Sequence, residues 1–453
     1  MRDSAADLTV PVVIIPEAPV ITIVPTTRKN VTDMDDEQFH QTRLSNGIRV
    51  ISEYIDSVYS VALGIWVITG SQDESRETNG IAHLLEHMAF KGTVNRSAFQ
   101  IASEIESIGG AINAFTGKNV TCYFARFMSA HLRIGVDVLA DLIKNPVFGK
   151  EDLEREKGVI IEEIREIEDT PGEIIHDYFT EQLFPDHPIG WSIQGSIENI
   201  RALTVEQLFE FIHKHYTSDR LVVAASGRVD HQELAELVNE YLGDLPGGNG
   251  QSDQTPLRPV AERTRRIQRP ISQSHLILGR RVFPQSDSRR YPLALLNVIL
   301  SGGMSSRLYQ NIREQFGFVY AIYSFYDLYL NNGLFGVYAG VDTDQLNTIR
   351  DMIYTELNKL ARVGVDAAEL RKVKQQFEGG LVISLEGMQA RMNRLAKMEI
   401  FENRLMTIRE LLDIINKITV DNLQELAIYL AEPDQYIETV IVPETLNRSE
   451  ERS

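Results

Sequence analysis

The chain has 453 residues, with 45 Lys and Arg against 64 Asp and Glu, a net charge of −19. Hydrophobic residues make up 43% and charged residues 24%, which is ordinary globular composition in a length suited to roughly two to four domains. Collagen, coiled coil and wholesale disorder are excluded, and the acidic excess repels nucleic-acid phosphates and anionic lipid, so neither nucleic acid nor membrane is expected as a partner. The single cysteine, Cys122, rules out an intramolecular disulfide and a cysteine-rich metal site, so any metal falls to histidine and carboxylate.

In chain order, the first apolar stretch, residues 8–24, is broken by Pro11, Pro16, Glu17 and Pro19 and followed by Pro25. It suits neither a signal peptide, a spanning helix nor an Arg-rich transit peptide, and the expected location is cytoplasmic. Residues 1–37 are read as an extended arm, because each proline fixes φ and removes a donor. Alternation predicts strands over 59–68 and 334–341. Apolar residues at helical spacing predict helices through Leu132, Val136, Leu139 and Ile143, and through Leu346, Ile349, Ile353, Leu357 and Leu360. A turn-rich run over 243–253, Gly-Asp-Leu-Pro-Gly-Gly-Asn-Gly-Gln-Ser-Asp, marks a linker at 244–258 between domains at 38–243 and 259–453.

The two halves read as copies. Thr204, in Leu-Thr-Val-Glu-Gln-Leu, and Thr419, in Ile-Thr-Val-Asp-Asn-Leu, are both placed as helix N-caps, and 419 − 204 = 215. The anchor ending in Lys157 recurs at Lys374, and 374 − 157 = 217. Matched anchors at nearly one offset point to a duplicated domain of α+β class.

His83-Leu84-Leu85-Glu86-His87 is the sharpest local signal. On a helix, His83 and His87 lie one turn apart on the same face and present two imidazoles to one Zn²⁺, while Glu86 on that face is placed to act as a base toward water. A catalytic zinc needs a third protein ligand. The acidic stretch 154–166 offers candidates, although a run of Glu on a helix is usually a solvated face with ion pairs. Glu156 and Glu163 are two turns apart and share a face, so spacing allows either to bind metal while the other supports the shell.

The stretch from Gly80 to Thr93, Gly-Ile-Ala-His-Leu-Leu-Glu-His-Met-Ala-Phe-Lys-Gly-Thr, resembles the signature of the M16 metallopeptidases, the pitrilysin and insulysin relatives that include mitochondrial processing peptidase and its bacterial homologues. In that family the third ligand is a Glu about 76 residues after the second His, within E-x-x-V-I-x-x-E; here 163 − 87 = 76, and Glu156 to Glu163 reads Glu-Lys-Gly-Val-Ile-Ile-Glu-Glu. The resemblance therefore implies Glu163 as ligand and Glu156 as its support. It covers about residues 40–445 and implies two homologous αβ domains of the LuxS/MPP-like metallohydrolase fold, each a mostly antiparallel sheet packed with helices. It also implies chains pairing as a clamshell around a chamber.

By the same resemblance, Gly110 to Thr116 is the active-site edge strand, with Asn113 and Ala114 as substrate-binding residues. Arg313 and Tyr320 match an Arg/Tyr pair that binds substrate and stabilises the oxyanion. On the residues alone, Arg313 is a helix-surface charge. Applying the offset of 217 puts Leu300, Met304 and Gly380 opposite His83, His87 and Glu163, so one zinc per chain is expected. The other eight histidines are read as structural or surface residues, and Tyr320, Tyr323, Phe325, Tyr326 and Tyr329 as strand core. The resulting expectation is a zinc endopeptidase cutting unfolded or short peptides, working as a homodimer. The alternatives are the catalytic subunit of a heteromeric processing peptidase and a noncatalytic scaffold.

Overall fold

The computed structural model describes residues 37–248, 255–317 and 319–444. The predicted arm up to residue 36 and the middle of the predicted linker, 249–254, lie outside the described residues. From Glu37 onward the chain forms a single compact unit, built around two sheets of the same topology. The first contains β1 (Gln38–Arg43), β2 (Arg49–Tyr54), β3 (Ser60–Val67), β4 (Ala111–Thr116), β5 (Thr121–Met128) and β6 (Leu221–Gly227), in the order β1-β2-β6-β3-β5-β4. The second contains β7 (Thr264–Arg269), β8 (Ser274–Val282), β9 (Val319–Leu328), β10 (Gly333–Val341) and β11 (Ile437–Pro443), in the order β7-β11-β8-β10-β9. Dropping β1, the two orders correspond strand for strand. In both, one pair is parallel, β2 with β6 and β7 with β11, and the other pairs are antiparallel. The α+β class and the duplicated two-domain fold hold.

Local chemistry explains the repeated helices. Thr204 and Thr419 both close capping boxes, their side chains accepting from the backbone N–H of Gln207 and Asn422. The helices that concern the site are α1 (Ile81–Ala89), α2 (Lys150–Glu168), α3 (Pro171–Leu183), α4 (Ala367–Ser384) and α5 (Met388–Lys397). The starts of α3 and α5 differ by 388 − 171 = 217, the offset of the lysine anchors.

These last two helices cross between the halves. Helix α3 belongs to the first half in sequence, yet Ile175 and Phe179 pack on the second sheet with Ile277, Tyr338 and Ile441. Helix α5 belongs to the second half and inserts Met392, Leu395 and Ala396 against Ile51, Ala62, Trp66 and Val222 of the first sheet. Each crossing helix sits over a glycine. A Cβ at Gly279 on β8 would lie 2.4 Å from the Phe179 ring, and one at Gly64 on β3 would meet the Met392 sulfur at 3.0 Å. The exchange leaves each sheet covered on one face by its own helices and on the other by its sister's, a reciprocal interface of the kind two-fold symmetry produces. Polar contacts follow the same path: buried Glu53 takes a hydrogen bond from Ser226 at 3.0 Å and pairs with Arg391 of α5. Among the described residues, no helix is long and apolar enough to cross a membrane.

Candidate metal centre

Helix α1 buries Leu84, Leu85 and Met88 in the first core and turns His83, Glu86 and His87 toward its partly open face. Its start is built by two devices. Gly80 takes φ 102°, in the left-handed region, where a Cβ would also lie 2.6 Å from the Gln194 carbonyl. The Glu74 carboxylate accepts from the N–H of Gly80 and Ala82 at 2.9 Å each and from the Asn79 amide at 2.8 Å. A carboxylate there satisfies orphan N–H groups and complements the positive end of the helix. No spacing rule in the sequence marks Glu74, because it reaches the helix from a loop.

Burial raises the Glu74 carboxyl to about 7 against an ordinary 4.5, although the N–H donors pull it down. Since the folded state holds this proton more tightly than the unfolded chain, the associated stability is full below 4.5 and is lost as pH rises through about 7. The stability of the native protein relative to Glu74→Gln should therefore fall by roughly 3 kcal/mol between about pH 4 and about pH 8. Denaturant unfolding of both proteins at several pH values checks this, and a constant difference would show that Glu74 holds its proton no more tightly in the folded state than in the unfolded chain.

The two histidine rings lie edge to face at 4.7 Å. Their Nε2 atoms come within 3.9 Å (His83) and 3.8 Å (His87) of one oxygen of Glu163, which α2 carries across from α1. His83, His87 and Glu163 each offer a ligand atom within 4.8 Å of the others, and they form the only group of three or more His, Cys, Asp or Glu so gathered among the described residues. Tetrahedral ligand atoms on zinc stand roughly 3.3 Å apart at Zn–N lengths of about 2.0–2.1 Å. The cluster is wider than that, its ligand atoms lying within 4.8 Å of one another, so the three groups would draw inward to hold a zinc. The donor chemistry fits as well: burial, with a smaller contribution from His87, lowers His83 to about 4, so its imidazole is neutral near pH 7 and its nitrogen free to ligate. Its Nδ1 is buried without a hydrogen bond.

Glu156 has a different place. One oxygen lies 3.3 Å from His87 Nδ1 and the other 2.7 Å from the Lys91 ammonium, with the Glu156 side chain only 6% exposed. It stands behind His87 on the ring nitrogen away from Glu163, where a carboxylate fixes the tautomer. The remaining acids of α2 behave as a solvated face, with Glu154 bonding Lys157 at 2.7 Å and Glu162 bonding Arg165 at 2.5 Å. The motif does not single out Lys91, which lies in the turn just after α1.

Glu86 is half-buried and its carboxyl is raised, first by burial and further by Glu163, while Thr116 and His87 pull it down. Thr116 donates to it at 2.5 Å. Thr116 ends β4, which lies at the edge of the first sheet and pairs only with β5. On that edge strand Asn113 is exposed, and its side-chain oxygen accepts from the N–H of Ala114 at 2.8 Å.

The second half supplies no contact to this cluster among the described hydrogen bonds and ion pairs. Arg313 lies in a π-helical turn, Tyr309–Glu314, with its guanidinium 5.1 Å from the Tyr309 ring. Tyr320 occupies a bulge at the start of the edge strand β9: Gly340 pairs with Ala321 and Val341 with Val319, which leaves Tyr320 unpaired and 61% exposed. Bulges and π-turns both re-aim side chains. The reading of these aromatics as core thus holds for Tyr329, just past β9 and 9% exposed, but not for Tyr320 or for Tyr323, which is 36% exposed, bonds His176 of α3 at 3.0 Å and stacks on Tyr338.

The family described as Insulinase (Peptidase family M16) matches residues 49–196, and the Peptidase M16 inactive domain matches residues 202–377. An uncharacterized zinc protease of Streptomyces coelicolor is 37% identical over 395 residues, covering 85% of this chain and 86% of the relative. One from Bacillus subtilis is 35% identical over 390 residues, covering 86% of this chain and 95% of the relative. Among solved structures, a protease from Helicobacter pylori superposes with a TM-score of 0.84 at 21% identity, over 90% of this chain and 100% of that one. A putative M16-like peptidase from Alicyclobacillus acidocaldarius gives 0.79 at 20% identity, over 90% and 99%. The structural likenesses bear on the fold, which they share; the sequence matches reach across both halves, and by them this chain belongs to peptidase family M16.

Proposed function

We propose that this chain is a zinc-dependent endopeptidase acting on unfolded or short peptides. The observation that carries the reading is the meeting of both imidazole Nε2 atoms with one Glu163 oxygen, on the helix face that also presents Glu86. His83, His87 and Glu163 would hold one zinc, which when bound supplies Lewis-acid polarisation of a carbonyl and lowers the pKa of water. Glu86 takes a proton from the attacking water as its oxygen bonds the scissile carbon, then delivers that proton to the leaving nitrogen as the C–N bond breaks. Strand β4 presents a free edge near this helix, so a peptide adds as a further strand with its backbone aligned by main-chain hydrogen bonds. In a folded protein most of the backbone is already paired and is not free to add as such a strand.

In this reading Arg313 and Tyr320 bind the substrate and stabilise negative charge on the carbonyl oxygen, and the working unit is a homodimer in which the second half of one copy completes the site of the other. One chain carries both parts, and both second-half residues stand on backbone irregularities that turn them outward. The relatives described as zinc proteases support the same activity. Removing metal with a chelator should abolish hydrolysis of a quenched fluorescent peptide, and stoichiometric Zn²⁺ should restore it. Full activity in metal-free protein would overturn the proposal.

A further inference from the structure

The residue that holds the base sits on the strand that would hold the substrate. Along β4, Ile112 and Ala114 pack toward the first core, which includes α1, and Thr116 shares their parity. Its hydroxyl therefore reaches α1 and donates to Glu86 Oε2 at 2.5 Å, at the short end of the O–H···O range. It is the only hydrogen bond to the Glu86 side chain among the described residues, and it leaves Oε1 as the oxygen open to water.

The backbone around this contact is pinned on both sides. Directly after Thr116, the turn at Gly117 and Lys118 accepts from the N–H of Ser71 at 3.1 Å and of Gln72 at 3.0 Å. The same loop continues to Glu74, whose carboxylate caps α1 through Gly80 and Ala82. The end of β4 and the start of α1 are thus fastened to one loop, so the distance between Thr116 and Glu86 is set by main-chain bonds as well as by the side chains. A catalytic group needs support of this kind, because a displacement of about 1 Å can cost on the order of 100-fold in rate.

We propose that Thr116 is a positioning residue for Glu86: its hydroxyl fixes the plane of the carboxylate and directs Oε1 at the attacking water, so that base alignment and substrate pairing belong to one rigid strand. This rests on the endopeptidase reading and deepens it. Among the described hydrogen bonds and ion pairs none joins Thr116 to a proposed metal ligand, so its effect is assigned to Glu86.

The test uses the zinc-loaded full-length protein and three variants, Thr116→Val, which keeps the shape without the hydroxyl, Thr116→Ala, and Thr116→Ser, which keeps the hydroxyl. Hydrolysis of a quenched peptide is measured with zinc affinity, by competition with a chromophoric chelator, and with the unfolding midpoint. The expected result is a kcat lowered on the order of 10- to 100-fold in Val and Ala, with KM and zinc affinity near those of the native protein and most of the rate recovered in Ser. If Val fails to fold, Ala, which adds no methyl beside the carboxylate, decides the matter. Unchanged kcat in Val and Ala, or a loss in Ser as deep as in Val, would overturn the proposal. A parallel loss of zinc affinity would do so too, by showing that the change acts on the metal cluster. Inactivity of the zinc-loaded native protein would instead bring down the endopeptidase reading, and this proposal with it.

Discussion

Replacing Glu86 by Gln is expected to lower peptide hydrolysis by roughly 10²- to 10⁴-fold, the contribution typical of a positioned proton-transfer group. The substitution is nearly isosteric. The amide oxygen it introduces would still accept from Thr116, and α1 would keep the Glu74 cap that sets its start. What disappears is the capacity to take a proton from water and return it to the leaving nitrogen. Glu86 lies outside the group of ligand atoms formed by His83, His87 and Glu163, so metal affinity should change little. Steady-state kinetics on one peptide, with both proteins loaded to the same zinc content, measures the effect. A loss below about tenfold would mean that another group serves as the base.

Glu163→Gln should fail differently. This carboxylate is the only anion shared by the two Nε2 atoms among the described residues, and the neutral amide that replaces it is a poor ligand for zinc. Zinc affinity should fall by more than about 100-fold, the upper range for changes that merely support a ligand, and activity at limiting zinc should fall with it. Glu156→Gln is the internal comparison: His87 loses its partner on Nδ1 and Lys91 loses its ion pair, so the affinity loss should lie within roughly 10- to 100-fold. Equilibrium competition with a chromophoric chelator separates the two. Equal losses would mean that the two glutamates do not differ in role.

How far the sequence leads depends on whether an interaction is local. His83, Glu86 and His87 announce themselves because a single helical turn brings them together, and the capping threonines and matched lysine anchors reveal the duplication for the same reason. Glu156 and Glu163 share a helical face, so periodicity alone leaves their roles open. The structure separates them, since α2 crosses α1 at an angle that puts Glu163 before both Nε2 atoms and Glu156 behind one Nδ1. Thr116 and Glu74 act across loops and between a strand and a helix, where no period exists to find them. The crossing of α3 and α5 between sheets is invisible for the same reason, although Gly64 and Gly279, at matched places on β3 and β8, record where those helices press closest. The bulge that exposes Tyr320 adds a residue to β9 without breaking its strand composition, so an edge strand bearing a displaced tyrosine reads in sequence as core.

Two histidines and one distant glutamate are proposed to bind zinc, while the glutamate between the histidines is not. The most direct test is the zinc content of native, Glu86→Gln and Glu163→Gln protein, each purified and dialysed alike against metal-free buffer and analysed by atomic emission. One zinc per chain is expected in the native and Glu86→Gln proteins and almost none in Glu163→Gln. Loss of zinc from Glu86→Gln with retention in Glu163→Gln, or equal zinc in all three, would contradict it.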